Sequence, residues 1–337
     1  MSRVVGQIML IVLAILALAL SGLGIATWLL SAQAEKDFPP MGRIIQADGF
    51  TLHAIDLPAK QPPASGQPGN PPLVFVHGAF GTAADFAVSI MPETSRQYRS
   101  IAIDRPGHGY SARRPKPDTD AGPMTPDRQA RALRAGLQAL GVHEKPILVG
   151  FSLGAAIALA WALDYPDEIS GILLINPASH PWPLPIEPSY RMAGIPLLGP
   201  LAVHTIVTPI GNRQLVAGAA NVFAPSPVPP HYAQAPIALT VRPGNFAANA
   251  EDIRTLKPFL AAQMQRYPGL KPPLSILVSD QDNATSPVIH SRPLAAQVPH
   301  AVLIESQGGG HPLHFSRQAE VLAAIDGLVA RTRAQSQ

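Results

Sequence analysis

Six short apolar runs punctuate this chain, at residues 73–76, 100–103, 147–149, 171–175, 275–278 and 301–304. Most are separated by stretches of helical periodicity, such as 128–140, 154–163 and 319–329. A strand that is apolar along its whole length has no face to give to water, so it must be covered on both sides. Such strands, alternating with amphipathic helices, predict an α/β domain with a mostly parallel, doubly wound sheet. Ahead of them, residues 42–57 alternate loosely around Asp48-Gly49, the pattern of an opening β-hairpin. With 337 residues, 47% of them apolar, the chain has ample material for one large core of this kind. The alternation fails once. Between Pro177 and Lys271 the chain is rich in Pro, Ala, Leu and Met and shows no comparable series of strands. An insertion at about 177–271 is most simply a helical lid above the strand ends, where such sheets bind ligands.

The N-terminus sets a second constraint. Residues 8–30 carry no charge, and 8–20 form an unbroken apolar run. As a helix at about 1.5 Å per residue the segment reaches roughly 35 Å, against a bilayer core of about 30 Å. Residues 1–34 therefore read as a transmembrane helix or a signal segment, residues 35–337 as the folded domain, and 31–41 as a short tether. Arg3 and the α-amino group precede the run, and Glu35, Lys36 and Asp37 follow it with a net charge of −1. That bias places the N-terminus in the cytoplasm and the domain on the periplasmic or extracellular side. Ala32-Gln33-Ala34 has the small-x-small form of a cleavage site, and cleavage after Ala34 would make the domain secreted. The apolar region is about twice the usual length for a signal, which favours an uncleaved anchor.

Composition narrows the chemistry. There is no cysteine, so disulfide scaffolds, thiolate metal sites and cysteine nucleophiles are excluded. Charged residues make up only 14%, and the 25 Lys and Arg are scattered rather than massed. A nucleic-acid partner would call for a basic stripe. The proline clusters at Gln61-Pro62-Pro63 and at residues 225–230 predict rigid, irregular connections.

Gly150-Phe151-Ser152-Leu153-Gly154 follows one apolar run directly and opens the helical stretch 155–163. This is the strand–turn–helix setting of a nucleophile elbow. The serine sits in a cramped turn that lifts its hydroxyl above the sheet, and the flanking glycines let strand and helix approach. A serine hydroxyl is a poor nucleophile until a histidine accepts its proton and a carboxylate orients that histidine. Both partners follow in the order Ser, acid, His. The run at 274–278 leads into Ser279-Asp280-Gln281-Asp282, and the run at 301–304 leads into Gly308-Gly309-Gly310-His311.

Together with His77-Gly78 after a strand and Asp104-Arg105-Pro106-Gly107-His108-Gly109, these motifs resemble the α/β-hydrolase superfamily. The resemblance is to its lid-bearing esterases, lipases and meta-cleavage-type hydrolases, and it covers about residues 42–335. It implies the family's G-x-x-D acid at Asp282, with Ser279 standing where the family usually has Gly and Asp280 as the alternative. It also implies an oxyanion hole built from the backbone N–H groups of Leu153 and, after His77-Gly78, Ala79. The family's dehalogenases and epoxide hydrolases carry an aspartate nucleophile, so Ser152 argues against both. The function expected is serine hydrolysis of a small lipophilic carboxylic ester or related acyl substrate, with no metal or other cofactor. A carbon–carbon bond hydrolase, an acyltransferase and a cofactor-free haloperoxidase or perhydrolase would use the same triad. A non-catalytic binding protein is the rival of a different class.

The other histidines have plainer readings. His77 orders the oxyanion loop, His108 belongs to a structural turn, and Asp104 organises a loop. His314 is a weak rival to His311. Trp182, Tyr190, Met192, Phe223, Tyr232 and Phe246 fill the insertion's own core or line a pocket. Arg331 and Arg333 read as a solvated helix end.

Overall fold

The structure is a computed structural model, and it describes residues 2–61, 69–116 and 122–335. Most of the Pro/Gly-rich loop after Gln61 lies outside the described residues. In chain order the elements begin with α1 (Ser2–Asp37), β1 (Arg43–Ala47), β2 (Phe50–Leu57), β3 (Leu73–Val76), α2 (Ala83–Ala87) and α3 (Met91–Thr94). There follow β4 (Ser100–Ile103), α4 (Pro126–Ala139), β5 (Ile147–Phe151), α5 (Leu153–Asp164) and β6 (Gly171–Ile175). After α6 (Pro188–Ala193), α7 (Leu198–Ala202), α8 (Thr208–Phe223) and α9 (Pro243–Gln263) come β7 (Leu274–Ser279), α10 (Ser291–Gln297), β8 (Val302–Ser306), α11 (Leu313–Ser316) and α12 (Gln318–Gln335).

The eight strands form one sheet in the order β1-β2-β4-β3-β5-β6-β7-β8. The β1–β2 hairpin and the β2–β4 pair are antiparallel; every pairing from β4 through β8 is parallel. Strands β3, β4, β5, β6 and β7 are buried on both faces, and their side chains split by period two between two cores. In β6, Ile172 and Leu174 join the layer of α4 and α5, whereas Leu173 and Ile175 join the layer of α2 and α12. Helix α5 is buried on every side from Leu153 to Ala162, as a helix that is apolar all round must be. The last run begins one residue late as a strand and lies at the sheet edge, with Val302 exposed. Arg331 is not a solvated end. Its guanidinium donates to Leu274 O and to Ser275 Oγ at 2.6 Å, tying α12 to β7, while Arg333 stays on the surface.

Residues 177–273 add no strand to the sheet and are mostly helical. From Leu198 to Phe223 the backbone stays helical, with a π-helical turn at Val203–Val207 joining α7 to α8. Of the aromatic residues in this insertion, Phe246 and Tyr190 pack with Phe80, and Phe223 and Tyr232 pack with Phe315. They join the insertion to the sheet's loops instead of forming a separate core.

The N-terminal helix departs from the expected tether. It runs unbroken to Asp37, and its second half is docked. Leu20, Gly24, Thr27, Ser31 and Ala34 are covered and spaced three or four apart on one face, with Ala26 and Leu30 half-buried beside them and Phe38 covered just past the helix end. Small residues at these positions let the helix come close to the π-helical turn and α8. Thr27 Oγ1 donates to Thr205 O at 3.1 Å, Arg242 pairs with Glu35 at 2.7 Å, and Tyr110 Oη donates to Phe38 O.

Candidate active site

Ser152 stands between β5 and α5 with φ 54° and ψ −121°, a conformation that side chains rarely adopt. Its amide donates to Ile175 O, and its carbonyl accepts from Ala155 N and Ala178 N, so the turn is fixed from three directions. The glycines are required by contact. A Cβ on Gly150 would lie 2.8 Å from Ala155 Cα, and one on Gly154 would collide with the carbonyl of Val76. One on Gly78 would lie 2.9 Å from Ser152 Cβ, which shows how closely the His77-Gly78 loop passes over the serine.

Asp282 and His311 are brought together. Asp282 Oδ2 lies 2.8 Å from His311 Nδ1 and accepts from Thr285 Oγ1 at 2.7 Å, while Oδ1 accepts from Ala284 N and Thr285 N. Burial by itself would raise the Asp282 pKa. The charge and hydrogen bond of His311, with the Thr285 hydroxyl and Ala284 amide, outweigh it and hold the carboxyl below its ordinary value. Asp280 does different work: its Oδ1 accepts from Gly308 N at 2.7 Å, bracing the glycine loop that leads to His311. The His311 ring packs 4.7 Å from that of Phe151, the residue before Ser152.

Helix α5 begins at Leu153, and the first N–H groups of a helix have no intrahelical acceptor. On the facing loop Ala79 follows Gly78, and the N–H of Phe80 beyond it is taken by Asn249 Oδ1 at 3.1 Å. The loop is held from below. His77 Nε2 accepts from Arg105 N at 3.0 Å, and Arg105 Nη2 donates to Gly78 O at 3.0 Å. Burial, then the neighbouring Arg105, pushes the His77 pKa well below its ordinary value, so it is a neutral ring. His108 is shifted the same way by the same causes.

Arg105 is wholly buried and paired with Asp252 of α9 at 2.6 Å, with Gln129 at 2.8 Å. Asp104 accepts from Ala83 N, Tyr110 N and His53 Nδ1, so it organises its loop. His314 sits among Phe86, Phe151 and Phe315, and burial lowers its pKa to about 3.

Two relationships escaped the sequence. Asn176, just past β6 with φ 44°, is fully buried. It donates to His311 O at 2.6 Å and accepts from Ser279 N at 2.8 Å, and its own carbonyl accepts from Thr285 Oγ1. The signal was a lone polar residue closing an apolar run. The other is the backbone bond from His311 N to Val222 O at 2.9 Å, which sets the end of α8 on the histidine loop. A cavity of about 340 Å³ lies beyond these residues, lined by Phe38, Met41, His53, Tyr110, Gln234 and Leu239 among others.

A strained serine at a strand–helix turn, on a parallel sheet with an antiparallel hairpin at one edge, defines a class. Residues 73–325 match the model of the alpha/beta hydrolase family, and the chain belongs to it. Among curated relatives, monoacylglycerol lipase ABHD6 of Homo sapiens is 27% identical over 114 residues, 34% of this chain and 32% of that protein. The 2-hydroxy-6-oxo-6-phenylhexa-2,4-dienoate hydrolase of Comamonas testosteroni is 33% identical over 125 residues, 34% of this chain and 41% of its own. The match thus spans about a third of the first relative and 41% of the second. The crystal structure of a membrane phospholipase A, described as a bacterial virulence factor, superposes with a TM-score of 0.60 at 20% identity, over 97% of this chain and 99% of that one.

Proposed function

We propose that the protein is a membrane-anchored serine hydrolase that cleaves a lipophilic carboxylic ester. The reading is carried by one observation: Ser152 held at positive φ in the elbow, with the Asp282–His311 pair on the neighbouring loops. Ser152 Oγ attacks the acyl carbonyl while His311 Nε2 takes its proton, and Asp282 keeps Nδ1 of the ring protonated and oriented. The N–H groups of Leu153 and Ala79 receive the oxyanion, which two aimed donors stabilise by several kcal/mol. Collapse of the tetrahedral intermediate expels the alcohol, which leaves with the proton from His311. Water, activated by the same histidine, then releases the acid and restores Ser152. This chemistry needs no cofactor.

The insertion's apolar composition, the long apolar helix α1 and a lipase among the relatives support a lipophilic ester as substrate. In this reading α1 spans the bilayer with the N-terminus in the cytoplasm, the catalytic domain lies on the far side, and residues 177–271 form the lid. The test is turnover of p-nitrophenyl esters of increasing chain length by the full chain in detergent micelles. Turnover that improves with chain length and disappears in both Ser152→Ala and His311→Ala is expected. Absence of ester turnover at every length would remove the esterase assignment. The meta-cleavage relative makes carbon–carbon hydrolysis the second reading, distinguished by turnover of a vinylogous diketone with esters untouched.

A further inference from the structure

We infer that the helical insertion is itself a bilayer-docking surface, inserted by residues 197–210 into the interface beside α1. The inference rests on reading α1 as a membrane anchor. A bilayer core of about 30 Å takes up about 20 helical residues, so the uncharged run 8–30 brings Thr27 to the edge of the hydrocarbon. Trp28, 67% exposed, sits there as interfacial tryptophans do. Thr27 is bonded to Thr205, so the π-helical turn is held at that same height. At about 1.5 Å per residue, Leu201 and Ile210 lie within roughly 8 Å of Thr205 along the helix axis, about the depth of a headgroup layer.

The side chains in this zone suit lipid. Leu198, Leu201, Ile206 and Ile210 are all exposed, and Leu197 is the most exposed of them at 86%. Leu197 also has φ 64° and ψ −48°, with Leu198 N bonded to Pro196 O, a strained three-residue turn that thrusts an apolar side chain outward. Charge agrees. No Asp or Glu occurs between Glu187 and Glu251, while Arg191 and Arg213 are exposed, the composition of a surface that meets anionic headgroups. Beyond this zone, α8 ends at the residues that hold His311, so the bilayer-facing segment and the histidine loop share one helical rod.

The chain has no cysteine, so a single introduced thiol labels uniquely. The experiment places an environment-sensitive nitrobenzoxadiazole probe at Leu197→Cys, Ile206→Cys, Leu16→Cys and Lys145→Cys in the full chain. The labelled proteins are reconstituted in phosphatidylcholine–phosphatidylglycerol vesicles and quenched by nitroxide-bearing lipid or by aqueous iodide. Leu197 and Ile206 are expected to behave as Leu16 does: blue-shifted, and at least threefold more sensitive to the lipid nitroxide than Lys145. If Leu16 is quenched from the lipid but Leu197 and Ile206 answer only to iodide, the insertion stands in water and the proposal is overturned with the anchor intact. Shielding from both quenchers that grows with protein density would mean a second copy covers this face, which also overturns it. Loss of lipid quenching at Leu16 as well would defeat the anchor reading, and the proposal with it.

Discussion

The side-chain amide of Asn176 donates to the carbonyl of His311 at 2.6 Å, from the end of a strand far away in sequence. The same amide accepts from Ser279 N, so one buried residue fixes both the loop that carries Asp282 and the loop that carries His311. Asn176→Ala leaves the buried Ser279 N without its acceptor, at about 1–3 kcal/mol, and leaves His311 O held only by Leu313 N. Its expected effect is a fall in kcat of roughly tenfold to a hundredfold with KM little changed, since a histidine misplaced by about 1 Å costs that much. Asn176→Asp, which keeps the acceptor and loses the donor, is expected to be equally impaired. Steady-state kinetics on a p-nitrophenyl ester check both, and a wild-type kcat in either variant would contradict the positioning role.

The two neighbouring aspartates separate cleanly. Asp282 meets the ring of His311, whereas Asp280 meets Gly308 N. Asp282→Asn is expected to lower kcat by about 10⁴, the loss seen when the histidine takes the wrong tautomer. Asp280→Asn is expected to stay near the wild-type rate. Equal losses in the two variants would contradict the assignment.

Asp85, whose carboxylate caps helix α2 through Thr82, is pushed up to about 7 by burial, from an ordinary 3.8. The folded chain therefore holds a proton that the unfolded chain has released between those two values, and stability falls as pH rises through that window. Asp85→Asn removes the liability while keeping an acceptor for Thr82 N. It is expected to raise stability at pH 8, on the order of a few kcal/mol, and to change it little at pH 4. Thermal denaturation at the two pH values decides the matter, and an equal gain at both would contradict it.

The buried ion pair of Arg105 and Asp252 holds α9 of the insertion to the loop that carries Gly78. Asp252→Ala strands a guanidinium in the interior and is expected to cost about 3–5 kcal/mol. Urea unfolding measures it; a cost below about 1 kcal/mol would show that Arg105 finds another partner.

Much of this architecture is legible in the chain because its strands are buried on both faces and so appear as plain apolar runs. Ser152 was legible because the elbow demands glycines at two fixed places, and Gly150 and Gly154 fill them. Asp282 and His311 stand out only by family pattern and chain order, and their meeting depends on loops that no local periodicity describes. Asn176 is not legible as a site residue because its partners lie on two other loops. The docking of α1 is hidden because Gly24, Thr27, Ser31 and Ala34 look like ordinary residues of an apolar span; their meaning lies in the three-and-four spacing. Arg331 looked solvated because its partners, Leu274 O and Ser275 Oγ, belong to a strand distant in sequence.

Whether Ser152 is a nucleophile activated by His311 is decided by treating the 337-residue chain with a fluorophosphonate probe and locating the labelled residue by mass spectrometry. A single adduct on Ser152 is expected, absent in Ser152→Ala and slowed by at least about a thousandfold in His311→Ala. A folded protein that takes no label, or takes it on another residue, would contradict it.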